Sequence, residues 1–284
     1  MTNRLILIEL EKRKRGFNMA LEQLEMDTGL NKVEFAIQLL QTWEPQEGYY
    51  FADSGGKDSC ATRDILIKSG VKFDAHYNVS PVDPQPIRDF LKECHPETVW
   101  DYHARNFVKT IVKKGLPMIQ TRWCCEIIKE VGGNGRVVVV GNRRAESSRR
   151  SKQCYVEQKK YGKVHKTIIR PIANFDNYDI WQYIRENNVK YCYLYDEGST
   201  RKGYGEGIFK RLGCVLCPFS NNIERELKYF PREANIWLIA SNQIVKNQIA
   251  NGYKTSRGKE LKYKFVTGQE KFDWWIKRGR RNEG

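Results

Sequence analysis

The stretch Gly48–Gly70, GYYFADSGGKDSCATRDILIKSG, constrains this chain more than any other. Tyr49, Tyr50, Phe51 and Ala52 form an aromatic and apolar run of strand length. The run breaks at Asp53-Ser54-Gly55-Gly56, and Asp58 and Ser59 are expected to cap a helix over Ala61–Lys68. Strand, glycine-rich turn and helix in that order aim bare backbone N–H groups at an anion, and the helix N-terminus adds roughly half a positive charge. Gly55 and Gly56 permit close approach, Lys57 offers a point charge, and Ser54 and Ser59 offer hydroxyls. The stretch predicts a phosphate site.

Two common phosphate motifs are excluded. A Walker A loop needs glycine five residues before the Gly-Lys pair, and Phe51 stands there. No G-x-G-x-x-G follows the strand, so the dinucleotide fingerprint is absent. SGGKDS resembles instead the PP-loop of the adenine nucleotide α-hydrolase superfamily, which includes the ATP pyrophosphatases and the phosphoadenosine phosphosulfate (PAPS) reductases.

Alternating strand and helix patterns carry the same fold outward. Asn31 is placed to cap a helix over Lys32–Trp43, and residues 1–30 read as helical. Strands are expected over Lys72–Asn78, Thr98–Tyr102, the valine run Arg136–Val140 and Lys166–Arg170. Helices are expected over Ile87–Cys94, Phe107–Lys114 and Asp176–Asn187. Four consecutive valines suit a parallel strand buried on both faces. The expected fold is α/β, a doubly wound, mostly parallel sheet, with N-terminal helices and a C-terminal helical extension. The boundaries read as a helical segment 1–45, a nucleotide-binding domain 46–220 and a basic helical extension 221–284. Ligands of such sheets bind at the carboxyl ends of strands, where strand order reverses.

The second constellation, Gly141-Asn-Arg-Arg-Ala-Glu-Ser-Ser-Arg-Arg150, follows the valine strand directly. Guanidiniums at a strand's carboxyl end fork onto phosphate or sulfate oxygens, and Glu146 is placed to hold one of them. The segment resembles the G-x-R-x-x-E-S-x-x-R signature of the PAPS reductases. Gly141, Arg143, Glu146, Ser147 and Arg150 match it in place, while Asn142 stands where an aliphatic residue is usual. The resemblance implies that this loop contacts the anionic end of the nucleotide.

Cysteine forms the third constellation. Cys124-Cys125 and the Cys214-x-x-Cys217 loop offer four thiolates from two distant segments, which suits tetrahedral zinc or an iron–sulfur cluster. Adjacent cysteines strain the geometry of a single zinc ion, which favours the cluster over zinc; buried reduced thiols are the remaining alternative. The paired cysteines with a distant C-x-x-C resemble the [4Fe–4S] set of adenosine phosphosulfate (APS) reductases and of the DNA-phosphorothioation ATP pyrophosphatases. Assimilatory reductases also carry a nucleophilic cysteine near their C-terminus. No cysteine follows Cys217 here, so that nucleophile is missing unless Cys60, Cys154 or Cys192 substitutes. The four histidines are scattered and form no motif.

Composition bears on partners. The net charge is +15, and Arg136–Arg170 alone carries eleven Lys and Arg against two Glu. Such an excess suits nucleic acid or polyphosphate. No apolar run approaches bilayer length and the N-terminus lacks a signal-peptide pattern, so a cytoplasmic protein away from membranes is expected. Eight cysteines in that setting are ligands or catalytic groups rather than disulfides.

The resemblance thus implies an enzyme that cleaves ATP between its α- and β-phosphates and adenylates an acceptor, DNA or RNA by charge, in a sulfur-transfer or modification reaction. Lys57, Asp58, Arg143 and Arg150 are the expected catalytic residues. Ser54, Gly55, Gly56, Ser59, Gly141, Glu146 and Ser147 complete the nucleotide site. Mg²⁺ assists, placed by Asp53 or Asp58, and Arg144 joins the anion-binding arginines. Cys124, Cys125, Cys214 and Cys217 hold the cluster, which organises the site or passes sulfur from a donor such as a cysteine desulfurase. The alternatives are an APS or PAPS sulfonucleotide reductase and a non-catalytic nucleotide-binding subunit of a nucleic-acid complex.

Overall fold

A computed structural model describes residues 30–103, 106–161, 164–220, 222–254 and 258–279. The helical reading of residues 1–30 lies outside them, apart from Leu30. The chain forms two compact units. Of the described residues, one comprises those from Leu30 to Asn78, Asp89–Asp101 and Gly132–Arg211; the other comprises Val79–Arg88, Tyr102–Val131 and those from Leu212 to Gly279.

The first unit begins with helix α1 (Lys32–Thr42), whose start is fixed by a reciprocal cap. The Asn31 side chain accepts from the Val33 and Glu34 amides, each at 3.0 Å, and Glu34 accepts from the Asn31 amide at 3.0 Å. Its apolar stripe buries Phe35, Ala36, Leu39 and Leu40. Strand β1 (Tyr49–Ala52) follows with Tyr49, Tyr50 and Phe51 buried, and then α2 (Lys57–Ser69), ended by Gly70 in the left-handed region at φ 72°.

Strands β2 (Phe73–Asn78), β3 (Val99–Asp101), β4 (Val137–Val140), β5 (Val156–Tyr161) and β6 (Val164–Ile169) complete a six-stranded sheet of order β3-β2-β1-β4-β6-β5. Every neighbouring pair is parallel except β5 with β6. The mostly parallel α/β fold is therefore present. The valine run forms β4, with Val138 and Val139 buried. Successive strands lead outward from β1 to β3, and the chain then returns to place β4 on β1's other side. The end of β1, where Ala52 pairs with Val140, is thus the point at which strand order reverses.

Strand β5 was not expected. Its sequence, Val-Glu-Gln-Lys-Lys-Tyr, is too polar to signal a core strand, and it lies at the sheet edge, where charge blunts unwanted pairing. Its Glu157 accepts from buried Arg170 at 2.5 Å, and Arg170 also donates to the Cys154 carbonyl at 2.9 Å. Between β2 and β3, helix α3 (Gln85–Cys94) carries the chain from the second unit back to the first. Past the hairpin, α6 (Asn177–Glu186) is capped reciprocally by Asp176 and Asp179 and buries Ile180, Trp181, Tyr183 and Ile184.

The second unit is helical: α4 (Phe107–Lys114), α5 (Trp123–Ile128), α7 (Ile223–Tyr229), α8 (Pro231–Ala250) and α9 (Gly268–Trp274). Aromatic rings fill its core, with Trp237 5.4 Å from Phe107 and 5.1 Å from Trp275. The Trp275 indole donates to the Pro117 carbonyl at 2.8 Å, which satisfies the one polar atom of a fully buried ring. No helix among the described residues is long and apolar enough to cross a membrane.

Candidate functional site

The loop after β1 is organised from beneath by Asp53, which is 2% exposed. One of its oxygens accepts from the Ser59 hydroxyl at 2.8 Å and the Gly55 amide at 3.0 Å. The other accepts from Arg63 at 3.0 Å and faces His95 Nδ1 at 2.8 Å. Burial alone would raise the pKa of this carboxyl. His95, the Gly55 amide and Arg63 outweigh burial and hold it below the ordinary aspartate value. Each oxygen thus carries two partners, and Asp53 clamps the loop from below.

Gly55, at φ 67°, makes the left-handed turn that a side chain would resist. Helix α2 is preceded by Gly56 at the cap position, which supplies no side-chain cap. Asp58 and Ser59, expected to cap, act otherwise. The Ser59 hydroxyl accepts from the Ser54 amide at 3.0 Å. Asp58 accepts from Lys57 Nζ at 2.9 Å through one oxygen and from Arg143 Nε at 2.6 Å through the other. Both cations are buried, at 3% and 4% exposure. Burying two positive side chains is costly unless each is paired, and Asp58 supplies the pairing.

Most amides of the turn are engaged within the protein. Ser54 N–H goes to Ser59, Gly55 N–H to Asp53, Gly56 N–H to Ser54 Oγ at 3.4 Å and Lys57 N–H to the Tyr195 hydroxyl at 3.2 Å. Among the described residues only the Asp58 and Ser59 amides of this loop lack an acceptor. An anion here meets two helix-start amides, Lys57 and Arg143.

Tyr195 was not singled out as a site residue. It lies 138 positions from Lys57 in sequence, and its ring is fully buried, 5.6 Å from Trp181 and 5.8 Å beneath Lys57 Nζ. Gly207 lies against its carbonyl, where any Cβ would come within 2.1 Å of oxygen. The Tyr-Asp-Glu-Gly phrase with its glycines was the available signal.

The segment after β4 reaches the same place. Gly141 passes so close to α2 that a Cβ would sit 3.0 Å from the Asp58 carbonyl and the Thr62 hydroxyl. Its neighbour Arg143 thereby reaches Asp58. Glu146 accepts from the Arg143 amide at 2.9 Å and pairs with Arg150, so it fixes both arginines. Burial first, then repulsion by Arg211, pull the Arg150 guanidinium below the ordinary arginine value, against the attraction of Glu146 and Asp58. Ser147 shapes the turn, its carbonyl accepting from the Arg150 amide at 2.9 Å. Arg144 is used differently from expectation: it donates to the Gln153 carbonyl at 2.8 Å and lies 4.8 Å over the Tyr155 ring.

The four cysteines lie in the second unit, and Cys124, Cys125, Cys214 and Cys217 line one pocket there together with Ser80 and Lys129. The Val215 amide donates to the Val82 carbonyl at 2.7 Å, and the Trp237 indole to the Val215 carbonyl at 3.0 Å, which holds the C-x-x-C loop in place. The hydrogen bond between the paired thiols raises Cys124 and lowers Cys125 to about 6, where Arg122 and Lys129 also favour the thiolate. Among the described residues no three His, Cys, Asp or Glu side chains close around a single point as a metal centre does. The sulfurs share a pocket without forming a finished cage.

Residues 49–220 match the model of the phosphoadenosine phosphosulfate reductase domain, and the chain belongs to that family. An uncharacterized protein of Methanocaldococcus jannaschii is 30% identical over 200 residues, which is 65% of this chain and 45% of the relative. A probable FAD synthase of Schizosaccharomyces pombe is 28% identical over 195 residues, 64% of this chain and 66% of that one. The chain spans less than half the length of the first of these relatives. Among solved structures, Candida glabrata FMN adenylyltransferase has a TM-score of 0.45 at 13% identity, covering 70% of each chain.

Proposed function

We propose that this chain is an adenylyl-transferring enzyme that uses ATP. An acceptor oxygen attacks the α-phosphorus, the bond between α-phosphorus and bridging oxygen breaks, and pyrophosphate leaves with that oxygen while the acceptor's proton passes to solvent. The observation that carries this reading is the pair of buried cations, Lys57 and Arg143, meeting two unpaired helix-start amides at the sheet's switch point. Cations and amides preset at the leaving group stabilise charge as it develops. Arg150, beside them and held by Glu146, extends the cationic surface toward the acceptor. Two of the curated relatives are named probable FAD synthases, which supports nucleotide transfer over sulfonucleotide reduction. So does the state of two substitute nucleophiles. Burial pushes the Cys60 thiol well up and the Cys192 thiol to about 11, the opposite of an activated cysteine.

Mg²⁺ is held in such sites by one or two carboxylates plus substrate phosphates, and Asp58, whose oxygens carry one cation each where those of Asp53 carry two partners each, is the carboxylate at hand. It would add charge neutralisation at the phosphates. The thiol pocket offers the donor set of an iron–sulfur cluster, with zinc as the alternative. Cys124, Cys125, Cys214 and Cys217 would hold the cluster, which would supply a rigid staple or a source of sulfur. Cys217→Ala is expected to remove iron and labile sulfide from protein purified without oxygen; unchanged contents sink the ligand assignment.

The acceptor we favour is nucleic acid, on the net charge of +15. The reading is tested by pyrophosphate release from ATP with Mg²⁺, with and without DNA or tRNA. Release stimulated by nucleic acid is expected. No release, combined with tight binding of APS or PAPS, overturns it in favour of the reductase.

A further inference from the structure

The end of α8 leads into a surface that the adenylation chemistry does not use. Gly252 and Tyr253 turn the chain back in the left-handed region, at φ 59° and 57°. The Leu261 amide then donates to the Tyr253 carbonyl at 2.8 Å, and the Tyr253 hydroxyl to the Phe265 carbonyl at 3.0 Å. Thr267 and Glu270 form a reciprocal cap at the start of α9. The loop from Gly258 to Val266 is thereby pinned at both ends.

From this pinned loop Tyr263 stands 45% exposed. Its ring is steadied by Trp274 at 4.8 Å and Phe265 at 6.5 Å. One cation lies over it and another over its neighbour. Lys262 Nζ lies 5.4 Å from the Tyr263 ring, and Lys271 Nζ lies 4.8 Å from the Phe265 ring. Exposed Lys264 pairs with exposed Glu260. Over residues 253–284 the sequence carries ten Lys and Arg against four Asp and Glu.

We propose that the loop Gly258–Val266, with Tyr263 at its centre, is a stacking platform for a single strand of nucleic acid. A base presents a π-face to the exposed tyrosine, and its phosphates reach the flanking lysines; this combination binds single strands with little regard to sequence. Prior packing of Tyr263 against two rings lowers the ordering cost of stacking. An acidic peptide would satisfy the lysines but leave the ring without its partner. A membrane surface would require an outward apolar stripe, whereas here Val266 stands out beside Tyr263 while Phe272 and Trp275 are buried. The inference deepens the nucleic-acid acceptor reading and rests on it for its biological sense, though not for its test.

The test is fluorescence anisotropy of labelled 15-mers, oligo(dT) and oligo(U), with the full chain and no ATP. The two probes show whether the sugar matters. Tyr263→Ala is expected to weaken binding about tenfold, and Tyr263→Phe to preserve it. Lys262→Gln with Lys264→Gln is expected to weaken binding and flatten its salt dependence. Equal binding by wild type and Tyr263→Ala, with Tyr263→Phe confirming a folded loop, overturns the platform. So does unchanged affinity for a duplex of the same length. Because the binding assay contains no ATP, it is independent of the pyrophosphate assay: oligonucleotide binding with no release there leaves the platform standing, and release without oligonucleotide binding sinks the platform alone.

Discussion

Lys57→Ala is expected to cut kcat/KM for pyrophosphate release at least about a hundredfold, the scale seen when one preset donor to a developing anion is removed. The ammonium is buried over the Tyr195 ring and paired with Asp58 at 2.9 Å, so its position is fixed before any ligand arrives. Nothing in the sequence offers a replacement at that place, since Arg143 is held from the other side of Asp58. The fold should tolerate the change. Asp58 keeps Arg143, and the methylenes lost from Lys57 open space beside a site that already meets solvent. The expected signature is therefore a large kinetic loss with a melting temperature close to that of the wild type. A rate within twofold of wild type would remove Lys57 from the chemistry.

Asp53→Ala carries the largest expected effect on stability. Four groups converge on that carboxylate: the Ser59 hydroxyl, the Gly55 amide, Arg63 and His95. Removing it strips the buried Arg63 of its inner partner and leaves exposed Glu97 and a 3.5 Å contact to the Thr98 hydroxyl. Loss of one member of a buried charged network costs about 3–5 kcal/mol. In a unit of this size that is a fall in melting temperature of roughly 10 °C. A change of less than 2 °C would show that the network is not what holds the loop. The pH dependence has a definite sign. The folded pKa of Asp53 is depressed, so its contribution is fully present above the unfolded value of about 3.9 and is lost as pH falls through the lower folded value. The gap in stability between wild type and Asp53→Ala should therefore narrow only below about pH 4, when followed by thermal melting across pH.

The reading from sequence was strongest where neighbours in the chain are neighbours in space. Tyr49–Gly70 spells out strand, turn and helix within one stretch, and four valines announce a buried strand. The signature from Gly141 to Arg150 works for the same reason, since Glu146 reaches Arg143 and Arg150 within one turn of chain. Illegible were the roles set by distant partners. Asp58 sits where a helix cap is ordinary, yet its partner Arg143 comes 85 positions later. Asp53 looked available to a metal because His95 and Arg63, which consume it, carry no local mark of that duty. Tyr195 closes the loop from 138 positions away. Local spacing records periodicity and turn chemistry; it does not record which remote side chain has already taken a hydrogen bond.

The path of the chain has a consequence for how this protein can be divided. The backbone passes between the two compact units five times, so neither unit is a continuous stretch. The family match stops at residue 220, but Trp237, which holds the carbonyl of Val215 between the two C-x-x-C cysteines, lies beyond it. A fragment trimmed to the matched residues would keep every signature in its sequence and lose the indole that braces one of them. Recognisable homology and the packing that braces it are here different lengths of chain.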